Sequence, residues 1–196
     1  YRTPQGTLEK TVAMIQGRNF TIVRYALAAG SAPVDMEVRV LLAGRDYHSI
    51  MRSNDFVNLQ TRSQPGIVYI PLYEGVPSVW LGHNAQSFQP ERTWYYNFDY
   101  PRERERGLEG HEDLVSAGVL RFQIQPGRPA WLAIGTDPVS AEDAAELFRR
   151  EIESRERWPL SDEPDSLVRE LARATGQFIV RRGDGLKTVI AGYPWF

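Results

Sequence analysis

Alternation of apolar and polar positions dominates the first two thirds of the chain, and it predicts strands. Val34 to Leu42 is the clearest case. Val34, Met36, Val38, Val40 and Leu42 share one face while Asp35, Glu37 and Arg39 share the other, the period of a half-buried strand. Upstream, two apolar-rich segments between Leu8 and Leu27 flank Gly17-Arg18-Asn19, and the second is β-branched and aromatic from Phe20 to Tyr25. This is a hairpin pattern. Short strands are expected at Phe56–Thr61, Ile67–Leu72 and Val79–Leu81, separated by Gln64-Pro65-Gly66 and Glu74-Gly75-Val76-Pro77. Val119–Gln125 alternates again, with Leu120, Phe122 and Ile124 on one face, and Pro126-Gly127-Arg128-Pro129 is expected to fold it into a final hairpin with Ala130–Ile134. The fold class is mainly β, an antiparallel sandwich.

The period changes after Asp137. Ala144, Phe148 and Ile152 recur at spacing four, and Ser140 with Asp143 forms a capping pair. A helix is expected from Ala141 to about Arg157, stopped by Pro159. A second is expected from Asp165 to about Arg181. There Leu167, Leu171 and Phe178 align with Val168, Ala172, Thr175 and Ile179 as an apolar stripe, and Gly183 supplies the stop. The sandwich is thus followed by two C-terminal α-helices.

One stretch fits no single period. From Trp94 to Tyr100 five aromatics fall within seven residues, and Pro101 then leads into the alternating charges Arg102-Glu103-Arg104-Glu105-Arg106 and on to His111-Glu112-Asp113. A central strand cannot continue through the proline, and the charged half has no apolar face, so Trp94 to Gly118 reads as a long tethered loop whose aromatic half leaves the sandwich as a strand. Aromatic faces beside Arg, Glu, Asp and His suit a polar ring such as a sugar, which needs stacking and hydrogen-bond partners. The alternative is that the aromatics are core and the charges a solvated rim.

Length and composition narrow the classes. The 196 residues suit one core with an appendage. No apolar run approaches the roughly 20 residues that span a bilayer, so no membrane partner is expected. A net charge of −2 without a basic stripe argues against nucleic acid. The absence of cysteine removes disulfides and thiolate chemistry.

His48, His83 and His111 lack metal-ligand spacing, and there is neither a Gly-x-Ser-x-Gly elbow nor a phosphate-binding glycine loop. No metal or cofactor is expected. Gly44-Arg45-Asp46-Tyr47-His48-Ser49, delivered by the Val34–Leu42 strand, gathers ligand-type side chains, although Arg45 and Asp46 equally suit a mutual salt bridge.

Four pieces, in order, resemble the bacterial and archaeal-type glycogen debranching enzymes, the amylo-α-1,6-glucosidases: Leu41 through His48, Trp94-Tyr95-Tyr96 through Leu108, His111 through Leu114, and Gln177 through Arg182 with Ile190 through Phe196. The resemblance implies that residues 1–136 are part of an N-terminal β-sandwich and residues 137–164 a linker helix. Residues 165–196 would open an (α/α)6 catalytic domain that continues beyond Phe196 with Asp-Trp-Gly-Arg-Asp and supplies both carboxylates for hydrolysing α-1,6-linked glucose. This segment would hold no catalytic residue of its own. Its implied partners are glycogen, limit dextrin or a branched maltooligosaccharide, and the barrel of the same polypeptide, in the cytoplasm. Substrate-binding candidates are Tyr193, Trp195 and Phe196 first, then Trp94, Tyr95, Arg104, Glu105, His111, Glu112 and Asp113, then Arg45, Asp46 and His48. Other readings are a noncatalytic interaction or structural sandwich, and the same architecture in a glucoamylase or disaccharide phosphorylase.

Overall fold

The computed structural model describes residues 1–46, 49–156, 164–183 and 185–190. Ten strands build two antiparallel sheets. They are β1 (Arg2–Thr3), β2 (Gly6–Met14), β3 (Phe20–Leu27), β4 (Val34–Leu42), β5 (Arg62–Gln64), β6 (Ile67–Ile70), β7 (Val79–His83), β8 (Ser87–Asp99), β9 (His111–Ile124) and β10 (Ala130–Gly135). One sheet runs β1-β2-β3-β10-β7-β6-β5 and the other β4-β9-β8. The short helix α1 (Pro101–Glu105) lies between β8 and β9.

The alternation along β4 places Val34, Met36 and Val38 on the inner face opposite Ile124, Phe122 and Leu120 of β9. These side chains meet Val23, Leu27, Leu81 and Leu132 of the larger sheet in the principal core. Full burial of each such side chain contributes about 1.5–3 kcal/mol. The opposite face of the larger sheet is covered by α2 (Ala141–Glu156). Ala144, Leu147 and Phe148 of α2 pack on Ile22, Ala133 and Trp131, and the Trp131 and Phe148 rings meet edge-on at 5.4 Å. A β-carbon at Gly82 would collide with the Val139 carbonyl, so glycine lets the chain entering α2 lie flat on β7. The expected cap is present. Ser140 Oγ accepts from the Asp143 N–H at 3.0 Å and bonds the Asp143 carboxylate at 2.9 Å. At the far end of α2, the buried Glu151 accepts from the Gln16 N–H at 3.1 Å, and Arg155 reaches the Met14 carbonyl at 2.9 Å.

Four expectations need correction. Trp94–Gly118 is mostly strand, because Pro101 falls just after β8 ends and interrupts no ladder; the loop is confined to residues 100–110. Phe56–Thr61 forms only a single bridge, Asn58 to Leu72. No final hairpin forms, because β9 and β10 belong to different sheets and the Pro126–Pro129 turn crosses the sandwich between them. The second helix, α3 (Ser166–Thr175), is capped by Asp165 but ends early. A 3-10 turn at Gly176–Phe178 follows, and the β-branched Ile179-Val180 then enters strand β11 (Ile179–Arg181), paired with β12 (Lys187–Val189). Gly183 therefore lies between these two strands rather than closing a helix. None of the apolar stripe on α3 is buried.

Candidate functional site

The end of the sandwich where β8 turns into β9 gathers most of the described candidates. Pro101 opens α1 at a position where its missing N–H costs no hydrogen bond. Gly107 closes the helix at φ +77°, and the Gly107 and Leu108 N–H groups bond the Arg104 and Glu103 carbonyls at 3.0 Å each. The Tyr100 N–H donates to the Gly110 carbonyl at 2.7 Å, fastening the neck of the loop. Arg104 folds back as a two-pronged donor to Asp99, at 2.9 and 3.0 Å. His111 Nε2 lies 3.6 Å from the same carboxylate. Glu105 pairs with Arg102 at 2.7 Å on the exposed side.

Two adjacent carboxylates on β9 tie this end together. Glu112 is 1% exposed. It accepts from the Arg45 guanidinium through both oxygens, from the Met51 N–H at 3.1 Å and from the Tyr100 hydroxyl at 2.9 Å. Burial pushes its pKa up, but the donors from Arg45, Met51 and Tyr100 and the Arg45 charge outweigh burial and hold it below the usual carboxylate range. The same contact raises Arg45, while burial and Glu112 raise the Tyr100 phenol. Asp113 accepts from the Ser53 N–H on one oxygen and the Asn97 N–H on the other, each at 3.0 Å. These backbone donors, Asn97 foremost, lower its pKa. Its own N–H bonds the Met51 carbonyl at 2.9 Å. The segment after β4, the loop at residues 100–110 and the start of β9 are thus one hydrogen-bonded unit.

The aromatics divide among three environments. Trp94 is half-buried against Val57, Leu72 and Val115. Tyr95 lies on the outer face of the small sheet, where the Arg39 guanidinium stands 5.2 Å from its ring and bonds its hydroxyl. Glu91 pairs with Arg39 at 2.6 Å and accepts from the buried Ser116 hydroxyl at 2.9 Å. The Ser116 bond and Arg39 lower the Glu91 pKa against a smaller opposing effect of burial. Tyr96 projects to solvent from a bulge between Tyr95 and Phe98.

The structure therefore joins Arg45 to Glu112 directly, ties Asp113 to the same unit through the Met51 backbone, and brings Arg104 and His111 to the shared partner Asp99. Asp46 accepts from Arg45 Nη1 through its backbone carbonyl at 3.2 Å. His48, Tyr193, Trp195 and Phe196 lie outside the described residues. Sequence reading missed Tyr100 and Asp99 as partners, Arg52 as the partner of Glu109, and Phe56 as a surface aromatic. Phe56 had a signal: it follows Asn54-Asp55, a turn pair that argues against starting a strand there. Among the described residues no group of His, Asp and Glu forms a metal cage, and no helix is long and apolar enough to cross a membrane.

The chain is 34% identical over 113 residues to the NAD-capped RNA hydrolase NUDT12 of Homo sapiens, a match covering 50% of this chain and 24% of that protein. The broader match is to the family model for the N-terminal region of glycogen debranching enzyme, which covers residues 1–130, the whole span of the sandwich up to the start of β10. The chain belongs to this glycogen debranching enzyme N-terminal family.

Proposed function

We propose that this chain is the substrate-recognition part of a cytoplasmic glycogen debranching-type enzyme, binding an α-glucan at the β8–β9 end of its sandwich. The observation that carries this reading is the unit fastened by Glu112 and Asp113. It presents an exposed, hydrogen-bonding rim, with Arg104, Glu105 and His111 outward, on a backbone tied down by its own hydrogen bonds. Preorganisation of that kind spares a binding surface the entropy of ordering its loops. Residues 137–164 then act as a linker, and residues 165–196 as the opening of a helical catalytic domain of the same polypeptide. The exposed Leu167 and Leu171 on α3 suit packing against further helices. In that arrangement the sandwich supplies recognition and the helical domain supplies the carboxylates for glycosidic hydrolysis. We propose no nucleic-acid partner, since the chain carries no basic stripe.

The test is titration of the chain with a branched maltooligosaccharide, followed by calorimetry and by amide NMR. Saturable binding that shifts the amides of residues 100–113 is expected. Absence of binding at millimolar sugar, or shifts confined to other parts of the sandwich, would overturn the proposal.

A further inference from the structure

The β8–β9 end carries two exposed aromatics that neither the core nor the salt-bridge network uses. Phe56 is 87% exposed and Tyr96 62%. Neither owes its exposure to a slack backbone. The Phe56 N–H donates to the Asn54 side chain at 3.0 Å, and Asn54 in turn donates to the Tyr73 hydroxyl at 3.1 Å. The next residue, Val57, is buried in the cluster with Leu72 and Val115. Phe56 is therefore held on both sides while its ring faces water.

Tyr96 is presented by a different device. The register of β8 on β9 slips between Tyr95 and Phe98, and Asn97 adopts φ +57°. A side chain other than glycine in that region is a local strain, and bulges of this kind re-aim a neighbouring side chain out of the sheet. The conformation persists because Asp113 receives the Asn97 N–H. The second oxygen of the same carboxylate receives the Ser53 N–H, three residues before Phe56. One buried carboxylate thus fixes both segments that carry the exposed rings.

The surroundings of the rings are polar. Arg52 pairs with Glu109, and Asp99 with Arg104, both at the surface. Isolated aromatic faces among paired charges do not make the contiguous apolar patch that marks a protein or membrane interface. They do match a ligand with apolar C–H faces and a hydroxyl rim.

From this we infer that Phe56 and Tyr96 form an aromatic platform on which glucose rings of an α-glucan stack, with Asp113 as the positioning residue beneath them. The inference rests on the glucan-recognition reading above and assigns its contact residues. In a calorimetric titration with branched maltooligosaccharide, Phe56→Ala and Tyr96→Ala should each weaken binding about fivefold to tenfold. Tyr96→Phe keeps the ring and should bind within about twofold of the parent. Met14→Ala, which removes another exposed apolar side chain remote from this end, should leave affinity unchanged. All three positions are exposed, so the four variants should fold, and circular dichroism checks that they do. If the parent chain binds and both alanine variants bind equally well, the platform is overturned while glucan recognition stands. Failure of the parent chain to bind overturns both.

Discussion

Replacing Glu112 by Gln tests whether this carboxylate fastens the β8–β9 end. The substitution preserves shape and one carbonyl-type acceptor, enough for the Met51 N–H. It removes the charge facing Arg45 and turns the second acceptor into a donor, opposed to the Tyr100 hydroxyl and Arg45 Nη2. Removing one member of a fully buried ion pair costs roughly 3–5 kcal/mol. Here the Glu112 side chain is 2% exposed, but Arg45 retains 24% and can partly rehydrate. The expected loss is therefore about 2–3 kcal/mol. In urea, with a slope near 2 kcal/mol/M, the midpoint should fall by about 1 M. Paired replacement of Arg45 and Glu112 by leucine should recover part of the loss, because no charge is then left buried alone. The acid dependence follows from the lowered carboxyl. Its stabilisation is complete above the ordinary value of 4.5 and is lost as pH falls from there through the folded-state value. A midpoint shift under about 0.2 M for Glu112→Gln, with unchanged acid sensitivity, would refute the reasoning.

Three further expectations concern other parts of the molecule. His83 is buried, its Nδ1 accepts the Ala85 N–H at 3.2 Å, and its Nε2 has no hydrogen-bond partner among the described residues. Burial lowers its pKa below 6.5, so stability is complete above 6.5 and declines as pH drops below it through the folded-state value. His83→Gln should flatten the change in urea midpoint between pH about 7.5 and about 5.5, and an unaltered slope would dismiss the effect. Gly107→Ala places a side chain at φ +77°, which should cost about 1–2 kcal/mol. Faster hydrogen exchange at the Gly107 and Leu108 amides is the check, and parent-like protection would count against it. Ser140→Ala removes the α2 cap and should lower stability by about 1 kcal/mol in thermal unfolding, and an unchanged Tm would show the cap to be dispensable.

Local signals were readable because they depend on neighbours in sequence. The alternation of β4, the hairpin around Gly17-Arg18-Asn19 and the Ser140–Asp143 cap each occupy a few residues and appear as expected. Pro126-Gly127-Arg128-Pro129 announces a reversal equally well, but nothing local says whether the next strand joins the same sheet or the opposite one. The end of α3 illustrates a second failure. The apolar period ran on past Thr175, yet Gly176 and the β-branched Ile179-Val180 favoured a turn and a strand. The candidate site was partly visible as residue types and hidden as partnerships. Arg45 suited Asp46 next door, and its actual partner Glu112 lies 67 positions away. The side-chain period of two does not foretell Tyr96 either, because a bulge interrupts it where Asp113 holds Asn97.

The position of β10 between β3 and β7 also sets a timetable for synthesis. β3 meets one neighbour, β2, as soon as the hairpin leaves the ribosome. Its other neighbour pairs Phe20 with Gly135 and Tyr25 with Ala130, and so arrives only after more than a hundred further residues. At about 5–20 residues per second the interval is on the order of 5–20 s. Throughout it Ile22 and Val23 present opposite faces of a strand that lacks both its second partner and the helix destined to cover it. The edge of β3 is therefore expected to stay open until residues 130–135 emerge, and the face carrying Ile22 until residues 141–156 follow.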